Sequence, residues 1–323
     1  MKQQSFAVAA EFERFSRPTR RAEFLSQMEG VVPWAELVAL VEPHYPKGDH
    51  GRPPVGVERM LRIYFLQQWF DLSDPAVEDA LYDSVTMRRF VGVDLGQEPA
   101  PDETTVCKFR HLLEQHGLGR KMLATVNGYL ERHGLKVGTG TIVDATLLHA
   151  PSSTKNETGA RDPEMHQVRK GNQWYFGMKA HIGVDAETKL VHSVEATAAN
   201  VADSRVLAQL LHGEETEVYG DQAYQGHTEA IRQRAPKAAD KTNRRWRTKL
   251  HEYPEIKEEN RIKSKTRSRV EHVFAVMKLR FGFTKVRYRG LAKNLHRIET
   301  TCALINLYTA SKRWNAGPQP SCA

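Results

Sequence analysis

Hydrophobic and polar positions follow two periods along this chain, and the change comes near Gly138. Up to about residue 135, apolar residues recur three and four positions apart, the spacing of a helix face. Ser73, Asp74 and Pro75 open one such helix with a cap residue and a Pro in the first turn, and Ala76, Val77, Ala80 and Leu81 carry it on. Asp102 caps another, in which Val106, Phe109, Leu112 and Leu113 form the apolar stripe and Gly117 ends it. A third runs from Met122 to Arg132 and stops at Gly134. No β-branched alternation interrupts this region, which predicts a helical N-terminal architecture.

Beyond Gly138 the pattern is that of strands. "TGTIVDATLL", residues 139 to 148, reads as a buried strand carrying one carboxylate, Asp144. Residues 150 to 172 are polar and predict a surface loop. Trp174 to Val184 and Leu190 to Ala196 predict a hairpin across "DAETK". Asp203 or Ser204 opens a helix through Leu211, a short strand from Glu217 to Gly220 ends at Asp221, and His227 to Arg234 is helical. A basic stretch follows, then an apolar helix pattern containing Glu271. This succession predicts an α/β fold: an RNase H-like mixed sheet, antiparallel at its start and joined by helices later, behind a helical N-terminal domain.

Composition narrows the class. The 323 residues are 40% apolar and 27% charged, enough for a sizeable core and for more than one small module. Cys107, Cys302 and Cys322 are odd in number, far apart and without a C-x-x-C, so neither a disulfide framework nor a zinc cage is indicated. The only apolar run near the N-terminus is Phe6 to Ala10, and no stretch approaches 18 apolar residues, so the sequence predicts a cytoplasmic protein with no membrane partner. The net charge of +8 is unevenly placed: residues 1 to 230 carry −8 and residues 231 to 323 carry +16. Basic residues there alternate with Trp246, Tyr253, Phe281, Phe283 and Tyr288, a mixture suited to phosphates and bases, although a charge run alone reads equally well as a solvated surface.

Three carboxylates stand out. An ionised Asp144 in mid-strand is costly unless paired with a cation, and for a lone strand Asp a salt bridge is the commoner reason. Asp221 sits at the carboxyl end of a strand, where α/β sheets place chemistry, but alone it reads as a turn former. In "SKTRSRVEHVFAVMK", Ser268-x-x-Glu271 matches a capping box, while at 100° per residue Arg267, Glu271 and Lys278 share one face beside Val270, Phe274 and Met277. Carboxylates from two strands and a helix can converge on a pair of hard cations that drive displacement at phosphorus. His149, His181, His192 and His227 lack zinc-site spacing, and Asp185 and Asp203 have local explanations as turn and helix-start residues.

At these residues the sequence resembles the bacterial insertion-sequence DDE transposases of the IS-five and IS-four type. Arg267, Glu271 and Lys278 fit that family's R, three residues, E, six residues, K motif; its longer form begins with Tyr where this chain has Ser264. "LRFGFTKVRYRGLAKN" continues in the family manner. "TIVDATLLHA" is similar to the first Asp motif, "WYFGMKAHIGVD" to the strand pair after it, and "VYGDQAYQG" to the second Asp motif. Upstream, "LSDPAVEDALYDSVTMRRFVGV" and "PDETTVCKFRHLLEQHG" are similar to the family's helical N-terminal domain. The resemblance spans about residues 55 to 310.

It implies a transposase that binds the terminal inverted repeats of its element, cleaves the ends, and joins the 3′-hydroxyls to target DNA. Asp144, Asp221 and Glu271 would be its catalytic metal-binding triad, holding two Mg²⁺ ions for which Mn²⁺ can substitute. Arg267 and Lys278 would hold the DNA strand, with Lys265, Arg269, Arg244, Arg245 and Arg247 as further phosphate contacts and a homodimer as the synaptic form. Fifty positions from Asp221 to Glu271 leave no room for a large β insertion domain. The expected organisation is a helical extension over 1–50, a helical DNA-binding or dimerisation domain over 51–135, a catalytic domain over 136–312 with a basic DNA-contacting insertion at 236–264, and a flexible tail over 313–323. Arg88, Arg89, Lys108 and Arg110 are the candidates for a local basic face on the helical part, and nucleoid DNA is the expected surrounding. Two other readings use the same residues: an RNase H-like DNA nuclease without strand transfer, and an inactive DNA-binding descendant of a transposase.

Overall fold

Helical periodicity in the first part of the chain becomes seven α-helices in the described residues. A computed structural model describes residues 17–48, 53–157, 159–244 and 254–315. The helices are α1 (Arg20–Glu29), α2 (Trp34–Val41), α3 (Val57–Phe70), α4 (Asp74–Asp83), α5 (Val85–Val91), α6 (Glu103–Gln115) and α7 (Leu118–Arg132). The expected caps are formed: Ser73 accepts a hydrogen bond from the Ala76 amide at 3.2 Å, and Asp102 from the Thr105 amide at 2.6 Å. In α6 the stripe buries Val106, Phe109 and Leu113, each such side chain contributing about 1.5–3 kcal/mol relative to exposure. Arg110, expected on a DNA-facing surface, is instead buried between Asp74 and Glu114 at 2.9 and 3.0 Å, because α4 packs against α6 there.

The sheet contains β1 (Gly140–His149), β2 (His166–Lys170), β3 (Gln173–Asp185), β4 (Val191–Ala198), β5 (Glu217–Tyr219) and β6 (Ala239–Asp240). β3 pairs antiparallel with β1 and with β4, whereas β5 runs parallel to β1 and β6 parallel to β5. From edge to edge the order is therefore β4, β3, β1, β5, β6: three antiparallel strands followed by two parallel ones, the RNase H-like arrangement. β2 adds to the other half of β3, so the stretch read as a polar loop contains a strand. The helix expected from Asp203 or Ser204 through Leu211 is present as a 3₁₀ helix over Asp203–Leu210. α8 (Thr228–Arg234) follows β5.

The last helices are α9 (Pro254–Arg267), α10 (Arg269–Ala275) and α11 (Leu291–Asn315), with a π turn at Val276–Arg280. α11 reaches past residue 312, so the expected tail is helical to Asn315; residues 316–323, like 1–16, lie outside the described residues. α11 packs against α7, α3 and β4, and one continuous apolar core runs from Phe24 and Trp69 through Leu130 to Ile182, Met277 and Leu304. Arg297 on α11 is 2% exposed, stacked over Phe283 at 4.0 Å and paired with Asp71 at 2.6 Å. The helical and sheet regions thus share their packing. Among the described residues no single helix is long and apolar enough to cross a membrane.

Candidate catalytic centre

Strand register builds the site. β1 and β5 run parallel with Ile142 opposite Tyr219. Two residues further along β1, Asp144 shares the face that carries Ile142, and extending the register past the end of β5 leads to Asp221. β5 ends at Tyr219, so Asp221 lies just past its carboxyl end, next to mid-β1. That face is covered by Val270, Val273 and Met277 from α10 and the π turn, while Val143 and Val218 point to the other side with Leu207, Tyr224 and Ile231.

Asp144 accepts a hydrogen bond from the Ala145 amide at 2.8 Å through Oδ1 and one from Arg267 at 3.0 Å through Oδ2. Burial pushes its pKa up to about 6; the Ala145 amide and Arg267 oppose the shift, and the negative charges of Asp221 and Asp203 add to it. Asp221 accepts from the Ala223 amide at 2.7 Å and so starts the short turn Gln222–Tyr224. The turn-forming and functional readings of this residue are compatible. Tyr224 is 1% exposed, its hydroxyl has no partner among the described residues, and burial with the fields of Asp203, Asp144 and Asp221 raises its pKa far above the usual range.

The cations of the motif reach the same strand. Arg267 meets Asp144, and Lys278 donates to the Leu147 carbonyl at 2.9 Å. Glu271 lies between them on α10 and is exposed. Among the described residues no three His, Cys, Asp or Glu side chains gather closely enough to hold a metal ion, so the predicted triad of Asp144, Asp221 and Glu271 is not drawn together there; Asp221 is near enough to Asp144 for its charge to be felt. Ser268 does not cap a helix: its backbone is already helical, its hydroxyl donates to the Lys265 carbonyl at 2.9 Å, and α9 runs into α10 through it. Lys265 is exposed. Arg269 donates to the Ala186 carbonyl beside the β3–β4 turn. Arg244 pairs with Glu259 at 3.8 Å, and Arg245 and Arg247 lie outside the described residues.

Of two further residues near the site, the sequence read Asp203 as a helix-start residue and did not single out Tyr224. Asp203 pairs with Lys179 at 2.8 Å on the far side of the sheet, and its field reaches Asp144. Tyr224 stands three positions after Asp221 and reads as an ordinary core aromatic. The hint for both was proximity to a carboxylate motif, which only folding reveals.

A family model described as "Transposase DDE domain" matches residues 136–307, more than half of the chain. The chain belongs to the DDE transposases. A second model, "Transposase domain (DUF772)", matches residues 12–112 of this transposase. Among solved structures, a piggyBac transposase synaptic complex with hairpin DNA is 10% identical with a TM-score of 0.48, covering 96% of this chain and 78% of that one.

Members of this family act on DNA with divalent cations, and the donor chemistry of the transposase fits such an ion in part. Asp144 in mid-β1 and Asp221 just past the end of β5 offer oxygen ligands near enough for one charge to act on the other.

Proposed function

We propose that this transposase binds the terminal inverted repeats of its element, cleaves at their ends, and joins the freed 3′-hydroxyls to target DNA. The observation that carries this reading is the parallel pairing of β1 and β5, which leads toward Asp144 on one strand and to Asp221 just past the end of the other. Glu271 completes the acidic set from α10, between two cations that both reach β1. Bound there, two Mg²⁺ ions, or Mn²⁺ in their place, would activate the attacking oxygen and stabilise the leaving one. Asp144, Asp221 and Glu271 would hold them. Arg267 and Lys278 hold the cut strand, and Lys265, Arg269, Arg244, Arg245 and Arg247 add phosphate contacts.

In the first displacement a water oxygen bonds to phosphorus and the P–O3′ bond breaks, leaving a 3′-hydroxyl on the element. In the second, that hydroxyl loses its proton and bonds to a target phosphorus, displacing a target 3′-oxygen. Both are the same reaction with different nucleophiles, so one centre serves both. Two ends held together call for a homodimer, and the enzyme works in the cytoplasm on nucleoid DNA. The test offers full-length protein and Mg²⁺ a duplex with a pre-cleaved end and a target plasmid. Joined product is expected; hydrolysis without joining would favour a nuclease and overturn the reading.

A further inference from the structure

β2 and β3 make a two-stranded antiparallel ribbon of five residue pairs, His166↔Gly177 to Lys170↔Gln173, closed by Gly171 at φ +62° and Asn172. β1 ends opposite Gly177, so the ribbon continues past the sheet on the side to which β1 points. Its root is tight, since a Cβ on Gly177 would lie 2.1 Å from the Leu148 carbonyl oxygen. Near its tip Trp174 is 67% exposed, an unusual place for the largest apolar side chain. Arg169 is its cross-strand partner, Lys170 follows, and no Asp or Glu occurs from Met165 to Val184.

Positive charge leads from the catalytic carboxylates to this tip. Arg267 stands at Asp144, Lys278 at Leu147, and exposed Lys285 bridges to His149 at the end of β1. Lys170 is near enough to Lys278 to help lower its pKa, behind the larger effect of burial. Cross-strand pairing puts Trp174 and Arg169 on the sheet face that carries Asp144, because Asp144 is opposite Ile182 and strand side chains alternate. Asp144 to His149 is five positions and Gly177 to Trp174 three. The tip is thus up to about 26 Å from Asp144, roughly eight base-pair steps.

We propose that the β2–β3 ribbon is a DNA-gripping arm that enters a groove of the duplex up to about eight base pairs from the cleaved bond, with Trp174 and Arg169 as its contacting side chains. A two-stranded ribbon fits the B-DNA major groove, and an exposed aromatic with a guanidinium beside it suits bases and the sugar–phosphate backbone. This rests on the DNA-cleaving reading of the centre above, and it concerns a separate part of the molecule.

The test measures affinity and cleavage by the full chain on end duplexes lengthened stepwise from the cleaved bond. Wild type is expected to gain at least about tenfold in affinity once the duplex passes roughly eight base pairs. W174A and R169A/K170A, whose side chains are exposed, should lose that gain and its footprint while still cutting the shortest duplexes at the wild-type rate. Variants that keep the full gain would overturn the arm and leave the catalytic reading standing. A wild-type protein that neither binds nor cuts any duplex would overturn both.

Discussion

Asp144 shows how a single side chain can be both a structural cost and a functional asset. Burial raises its pKa to about 6, well above the unfolded carboxylate value near 3.9. The ionised form is therefore disfavoured in the fold, and this contribution to stability is present at low pH and lost as pH rises through about 6. A bound cation reverses that preference, since it needs the ionised carboxylate. Calorimetric titration with Mn²⁺ should accordingly show affinity falling as pH drops from 7 to 5, by up to about tenfold per unit below 6. Affinity unchanged over that range would mean that Asp144 is not a ligand. Its place in a buried strand, and a salt bridge such as the one it makes with Arg267, were legible in the sequence because an isolated carboxylate interrupted a Thr, Ile and Val run. Asp203 and Tyr224 were not legible, because their nearness to Asp144 arises from packing across the sheet.

Among the elements, the helix that carries Glu271 and the ribbon that carries Trp174 show where pattern succeeds and fails. The apolar stripe Val270, Phe274, Met277 correctly indicated a helix, and Arg267 and Lys278 do share a face directed at β1. The capping box at Ser268 failed because α9 precedes it without a break, so no free helix start exists for Ser268 to cap. Ser268→Ala is therefore expected to cost less than about 0.5 kcal/mol in urea unfolding, whereas Ser73→Ala, which removes a formed cap, should cost about 1 kcal/mol. Equal losses would contradict this account of the α9–α10 junction. β2 was missed because it lies on a ribbon with little buried face: "HQVRK" is exposed except for a half-buried Val168, and offers no apolar alternation.

On the scale of the whole molecule, α11 ties the helices to the sheet. Its burial of His296 also couples the fold to pH. His296 accepts from the Gly119 amide at 3.2 Å and His181 contacts the Thr197 hydroxyl at 2.8 Å; burial lowers both pKa values to about 4. Both are therefore neutral when folded at pH values where the unfolded chain already binds protons. Their stabilising contribution is full above about 6.5 and is lost as pH falls toward 4. Unfolding experiments between pH 7 and 5 should show stability declining with acid, and His296→Gln should flatten the slope by close to one proton. An unchanged slope in that variant would contradict the assignment. The RNase H-like sheet was legible from strand order, since each strand carries its own local pattern. The shared core was not, because nothing local marks α11 as the partner of α3, α7 and β4 together.

Asp144, Asp221 and Glu271 are proposed to form one metal-dependent centre for DNA cleavage, although among the described residues the three are not gathered as a metal-binding group. The most direct measurement compares wild type with Asp144→Ala, Asp221→Ala and Glu271→Ala in Mg²⁺-dependent cleavage of an end duplex, with DNA affinity read in parallel. Each variant is expected to lose at least about 10²-fold in cleavage rate while binding DNA within a few-fold of wild type. Wild-type cleavage by any one of the three would contradict the account.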